Sequence, residues 1–259
     1  MNILEKIIAT KHAEVWEAKK ERPVEQLMES PLFARPLNSL RQTLMGAGII
    51  AEIKRRSPSK GIINNTIQVS EVAVGYTKAG ASAISVLTDA TYFGGSLADL
   101  QEARQATHLP ILRKDFMVDE YQLYEAKANG ADLILLIAAA LRPAQAEHFV
   151  GLAHELNLEV LLELHDEAEC RAFERVQADL FGINNRSLKT FEVSLETSLR
   201  LKPMLPSEKP AIAESGIDSL DAIKTLKAAD FKGFLMGQHF MQNTNPGKAC
   251  ADFIDALNK

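Results

Sequence analysis

At 259 residues the chain exceeds one ordinary domain and falls short of two, a length at which a (β/α)8 barrel forms a single unit. Hydrophobic residues make up 46%, enough for a sizeable core; the net charge is −5, and no long Lys/Arg block or basic, aromatic-rich stripe points to nucleic acid. The two cysteines, Cys170 and Cys250, lie far apart without metal-type spacing, which excludes a disulfide framework and fits a reducing, cytoplasmic setting.

The opening MNILEKIIATKHAEVW is not a signal peptide, because Glu5 and Lys6 interrupt its short apolar run. Ile3, Leu4, Ile7, Ile8, Val15 and Trp16 fall on roughly one helical stripe, expected to pack into the core. Pro23 interrupts this helix, and Leu27, Leu37, Leu40 and Leu44 continue the apolar pattern in shorter pieces. Residues 1–46 thus read as a helical extension in front of a repeating body, 47–259, with no linker between them.

From Gly48 onward short apolar runs alternate with polar loops and amphipathic stretches. The runs are IIAEIK, AISVLT, ILRKDF, LILLIA, EVLLEL, LFGINN, AIAES and GFLMG, spaced by about the length of one β-loop-α unit. The longest apolar stretch, around Leu133 to Leu141, is too short to span a bilayer. Gly80 and Gly130, just before the second and fourth runs, suit the left-handed position that ends a helix. Units of this kind in series predict a closed parallel barrel, a single α/β TIM-barrel domain. An open doubly wound sheet would more often carry a Gly-rich first loop, and none is present.

In such a barrel the chemistry comes from the C-terminal ends of the strands. Charged residues inside apolar strands are informative there, because burying them costs several kcal/mol (~) unless they are paired. Side chains alternate faces, so Glu52 and Lys54 share the face of Ile50 and should cap the barrel interior. Lys114, Glu163, Asn184 and Glu214 end later strands and should converge on the same mouth. Loops after the last two strands form the usual phosphate site of a barrel, and Ser215, Gly216 and Gly237 are small residues where backbone N–H groups must approach an anion. The triplet Lys54-Arg55-Arg56 is expected to concentrate positive potential for an anionic substrate.

The six histidines show no metal-ligand spacing, and no P-loop, dinucleotide fingerprint or Gly-x-Ser-x-Gly elbow appears, so neither metal nor cofactor is expected. His239 reads as a surface or packing histidine, and both cysteines as structural.

These segments resemble the indole-3-glycerol-phosphate synthases over essentially the whole chain. AEIKRRSPSKG (51–61) is similar to the family signature after the first strand, and ILRKDFMVDEYQLYEA, LLELHDEAE, GINNRSLKTFEV and AESGI follow in the family's order. The resemblance implies ring closure, decarboxylation and dehydration of 1-(2-carboxyphenylamino)-1-deoxyribulose 5-phosphate to indole-3-glycerol phosphate, in tryptophan biosynthesis and without a cofactor. It further implies Lys114 as general acid if its pKa falls among neighbouring charges, and Glu163 as base or second acid. Glu52 would bridge the lysines, and Asn184 would hold a hydroxyl or oxyanion. Lys54, Ser57 and Arg186 would bind anionic groups; Phe93, Phe116, Leu135 and Leu188 would form the apolar pocket for the ring. Ser215, Gly216 and Gly237 would hold phosphate, with Glu214 beside them. One departure is Gln238-His239 after Gly237, where many members carry a smaller residue. Expected partners are the small phosphorylated substrate and, at most transiently, other pathway enzymes; the absence of an apolar surface stripe favours a monomer, and neither nucleic acid nor membrane is expected.

An earlier-acting sugar-phosphate isomerase of the same pathway would use a Cys/Asp pair, and no cysteine lies at a strand end. A catalytically dead binding barrel would have no need of buried unpaired charge.

Overall fold

The computed structural model describes residues 2–44, 46–188 and 190–259. Among these, eight parallel strands close into a barrel: β1 (Ile49–Ile53), β2 (Ala83–Leu87), β3 (Ile111–Lys114), β4 (Leu133–Ile137), β5 (Glu159–Leu164), β6 (Leu180–Asn184), β7 (Ala211–Glu214) and β8 (Gly233–Met236). Each strand pairs with the next in sequence, and β8 closes on β1 through Ile49 opposite Phe234 and Ala51 opposite Met236. All eight apolar runs therefore become strands, with helices on the outside between them.

The two-residue period sorts each strand into two environments. Ile50, Ala83, Leu112, Leu133, Leu161, Leu180, Ile212 and Leu235 fill the barrel. Their neighbours Ile49, Ala51, Ile53, Ile84, Val86, Ile134, Val160 and Phe234 pack outward against the helices. Helices hand over to strands through left-handed residues: Gly80 at φ 82°, Gly130 at φ 88°, and Asp230 at φ 66° before β8. At Gly130 a Cβ would lie 2.7 Å from Arg104 Cγ, so space as well as φ demands glycine.

The extension runs from the C-terminal mouth of the barrel to its opposite end. Its helix, Ile3–Glu21, starts on a capping box between Asn2 and Glu5. The buried stripe is Ile7, Lys11 and Val15; Trp16, expected in the core, is 64% exposed with Lys20 Nζ over its ring at 4.9 Å. Trp16 follows Val15 by one residue, about 100° round the helix, and so lies off the buried stripe. Lys11 pins the helix to the mouth through Asp89 (3.1 Å) and Asp115 (3.0 Å). The chain then descends the barrel wall, where Ser30 Oγ donates to Ala128 O (2.7 Å) and Arg35 pairs with Asp132 (2.6 Å). At the far end Leu40 N donates to Glu159 Oε2 (2.8 Å), while Leu40 and Leu44 join the interior cluster. No helix among the described residues is long and apolar enough to cross a membrane.

Asp132 carries this strap. Its buried carboxylate accepts from Arg35, Arg104 (2.8 Å), Asn38 N (2.8 Å) and Ile111 N (2.9 Å). Asp132→Ala should cost about 3–5 kcal/mol in urea unfolding, because it strands the buried Arg104 guanidinium. A loss below about 1 kcal/mol would show that the strap contributes little to stability.

Candidate active site

The alternation that fills the barrel with aliphatic side chains ends, at the C-terminal rim, in a layer of charge. Glu52 of β1, Lys114 of β3, Glu163 of β5 and Glu214 of β7 occupy inward positions one step beyond the aliphatic layer, and Asn184 of β6 lies one step further, past Gly182. Lys114 Nζ sits between Glu163 Oε2 (2.7 Å) and Glu214 Oε2 (3.0 Å). Asn184 Nδ2 donates to Glu163 Oε1 (3.2 Å), and its Oδ1 accepts from Arg186 N (3.0 Å). Lys54 is ion-paired to Glu52. Among the described residues Glu52 touches one lysine only; it acts on Lys114 through charge and does not bridge the two.

Two glycines make room for these carboxylates. A Cβ at Gly182 would fall 2.4 Å from Glu214 Oε1, and one at Gly237 would fall 2.3 Å from Glu52 Oε1. Gly237 thus accommodates a carboxylate in addition to any approach to phosphate. Gly216 and Ser215 are both left-handed, at φ 71° and 65°, which turns the chain sharply after β7.

The charges set one another. Burial alone would lower the Lys114 pKa, but Glu163, Glu214 and Glu52 together outweigh it and raise it above the ordinary lysine range. The expectation of a depressed lysine is thus reversed, because three carboxylates face one ammonium. Glu163 is held well below the carboxylate range: burial opposes this, but Lys114 and His165 prevail. Glu214 moves the other way, up to about 7, because burial and the neighbouring Glu163 charge overcome its contact with Lys114. Two neighbouring carboxylates are thereby pushed apart, the pattern that divides acid from base in an enzyme site.

A cavity of about 710 Å³ opens over this layer. Of the residues singled out from sequence, Ser57, Phe93, Phe116, Leu135, Arg186, Leu188, Ser215, Gly216 and Gly237 line it, besides the charged layer itself and Lys54. Phe93 and Phe116 form one wall, ring centroids 6.1 Å apart. Arg186 Nη1 donates to Phe191 O (3.1 Å), tying down the loop after β6.

Two of the basic triplet do not face the cavity. Arg55 forms a two-pronged pair with Asp99 (2.5 and 2.9 Å), and Arg56 donates to Ala90 O (2.8 Å) and Thr91 O (2.6 Å). Their charge fastens the loop after β1 to the segment after β2, where the helix Leu97–Ala106 carries Asp99, and Lys54, Lys60, Lys114 and Arg186 supply the positive lining. Residues that sequence reasoning missed are Ile3, Leu4 and Ile7 of the extension, which roof the apolar end, and His165 beneath Glu163. The helical stripe was visible, but periodicity does not say what a stripe covers. His239 lines the cavity yet packs edge-on against Phe253 (5.2 Å), as a packing histidine should. Cys170 and Cys250 are free and buried. Among the described residues no group of three His, Cys, Asp or Glu is placed to hold a metal ion.

The family model for indole-3-glycerol phosphate synthase matches residues 4–253. The chain belongs to the indole-3-glycerol phosphate synthase family. A synthase of that name from Bacteroides thetaiotaomicron is 46% identical over 258 residues, covering 99% of both chains. Another, from Laribacter hongkongensis, is also 46% identical and covers 96% of this chain and 98% of its own. Among solved structures, thiamine phosphate pyrophosphorylase from Pyrococcus furiosus superposes with a TM-score of 0.61 at 18% identity, over 85% of this chain and all of its own, a likeness of fold alone. Membership of the indole-3-glycerol phosphate synthase family makes the chain a carbon–carbon lyase of tryptophan biosynthesis, acting on a small phosphorylated substrate.

The Glu214 environment has a consequence for stability. Its folded pKa lies above its unfolded value of 4.5, so the native state binds that proton more tightly. The stabilisation is complete below pH 4.5 and is lost as pH rises through about 7. Glu214→Gln, which cannot ionise, should gain on the parent protein between these limits and then level off. Urea midpoints at pH 5 and pH 8 would reveal this; equal differences at both pH values would mean that Glu214 titrates normally.

Proposed function

We propose that the mouth of the barrel carries out the indole ring closure with Lys114 and Glu163 as its working pair. The observation behind this reading is the Lys114 ammonium, suspended between Glu163 and Glu214 on the floor of a cavity with one apolar and one anion-seeking end. The carboxyphenyl ring of the substrate would lie against Phe93, Phe116, Leu135 and Leu188. Its phosphate would lie at Ser215, Gly216 and Gly237, where Ser215 supplies a hydroxyl and the small residues let backbone approach an anion. Lys54, Ser57 and Arg186 would meet the carboxylate and hydroxyl oxygens.

In the first step the ring carbon bearing the carboxylate attacks the ketone carbon. The carbonyl electron pair moves onto oxygen, and Lys114 stabilises that oxyanion and then protonates it. An ammonium held as tightly as this one is a poor acid toward a ketone but a good one toward an alkoxide, so proton transfer follows the growth of charge. Carbon dioxide then leaves, and its bonding pair restores the aromatic ring. Finally the new hydroxyl departs as water while the carbon next to nitrogen loses a proton, completing the indole. Glu163, ionised, is the base suited to that proton; Glu214, near neutral pH, is the carboxyl able to supply one to the departing hydroxyl. Asn184 holds Glu163 and the substrate hydroxyl in register.

The same reading takes the extension and the barrel as one domain, working as a cytoplasmic monomer that meets other pathway enzymes only transiently. The ion pairs of Lys11 and Arg35 across the boundary support the first point.

Turnover is read from indole fluorescence on adding the carboxyphenylamino-deoxyribulose phosphate. Lys114→Ala should lower kcat by at least about 100-fold with little change in substrate binding, and Glu163→Gln by a similar order. Ordinary turnover in either folded variant would remove that residue from the mechanism. Gly216→Val should instead raise KM about tenfold or more, since φ 71° and a Cβ 2.4 Å from Val193 Cγ1 force the loop to move. Unchanged affinity there would place the phosphate elsewhere.

A further inference from the structure

Beneath the working pair lies a histidine with no aliphatic reason to be there. His165 follows β5 directly, and its side chain is only 9% exposed. Its Nε2 lies 3.1 Å from Glu163 Oε1, an ion-pair contact rather than an aligned hydrogen bond, and its Nδ1 lies 3.2 Å from Glu169 Oε2. A neutral imidazole has one donor and one lone pair, so one of its nitrogens would turn a lone pair toward a carboxylate oxygen. Only the doubly protonated ring suits both contacts. Glu169 is itself fixed, because the same Oε2 accepts from His165 N (2.7 Å) and its N–H donates to Asp166 Oδ1 (2.9 Å). The helix Glu167–Ala172 thus holds the histidine from behind, and the histidine holds the catalytic carboxylate from behind.

We infer that His165 is a positioning residue of the ring closure: as an imidazolium clamped between Glu169 and Glu163, it keeps the Glu163 carboxylate ionised and aimed at the cavity. The inference rests on the reading of Glu163 as a working base. The charged groups around the pair are Glu163 on its own strand, Glu169 on the helix that follows, Lys114 from β3 and Glu214 from β7. Lys114 must release part of its hold on Glu163 when it turns to the substrate oxyanion. A second cation behind Glu163 keeps that carboxylate from taking a proton at the wrong moment. The surroundings agree: burial alone would depress the histidine, but the contacts with Glu163 and Glu169 raise it to about 10.

The sign of the effect on rate follows. Removing the imidazolium raises the pKa of Glu163, so the acidic limb of the kcat profile moves to higher pH. His165→Gln, which keeps a hydrogen-bond donor without the charge, should shift that limb upward by about one unit and, because the still ionised carboxylate is no longer held toward the cavity, lower kcat about tenfold at neutral pH, with KM changed less than about threefold. His165→Lys, which restores a cation, should return the limb toward its original position. A folded His165→Gln enzyme with the parent's kcat and pH profile would overturn the inference. Because the variant could fail to fold, the ring is also read in the parent protein by nitrogen NMR of labelled histidine, without substrate. An imidazolium persisting at pH 8 is the expected result, and a neutral ring at that pH would overturn it independently of turnover. Activity surviving in Glu163→Gln, with the imidazolium still seen in the parent protein, would instead fault the proposed role of Glu163 and with it the positioning role, leaving only the charge state of the ring as inferred.

Discussion

The position of one ammonium organises this molecule. Lys114 ends β3 at the depth where the aliphatic filling of the barrel stops, and it can be buried there only because Glu163, Glu214 and, at longer range, Glu52 surround it. A lone charge at that depth would cost several kcal/mol (~) and would be driven neutral. With three carboxylates around one cation the imbalance is reversed, and the surplus negative charge appears elsewhere: as a proton retained on Glu214 up to about pH 7, and as cations recruited behind Glu163 and Glu52, His165 and Lys54.

Much of the remaining architecture serves to hold that charge still. Gly182 and Gly237 leave space that any side chain would deny to Glu214 and Glu52. Directly beside Lys114, Asp115 joins Lys11 of the first helix to Arg113, and Arg113 in turn reaches Glu125 (2.7 Å) on an outer helix. The extension is thereby coupled to the strand that carries the ammonium, and the same helix roofs the apolar end of the cavity with Ile3, Leu4 and Ile7. The roof of the cavity and the placement of the ammonium share a support.

The division of the cavity into an apolar and an anion-seeking end follows from where the loops depart. Phe93 and Phe116 come from the loops after β2 and β3, while Ser215, Gly216 and Gly237 come from those after β7 and β8, on the other side of the rim. The charged layer lies on the floor between them. In the proposed reading, a substrate with an aromatic carboxylate at one end and a phosphate at the other would stretch across Lys114 and Glu163, with its reacting carbons over the groups assigned to move protons.

The barrel was legible in the sequence because eight apolar runs with a period of two, each followed by a helical pattern, leave few other ways to bury both faces of every strand. The inward direction of Glu52, Lys114, Glu163 and Glu214 was legible for the same reason, since strand alternation is local geometry. What sequence left undetermined depended on contacts between distant segments. Arg55 and Arg56 looked like part of an anion site, but partners from the next loop take both. Trp16 was grouped with Ile7 and Val15 but stays exposed, one residue round the helix from the buried stripe. The direction of the Lys114 pKa could not be read from residue types, because it is set by how many carboxylates stand within a few ångströms, and the strands that bring them lie on average far apart in the chain. Local periodicity determined which residues face the barrel mouth; only closure of the barrel decided which charges would meet there, and so which of them hold protons.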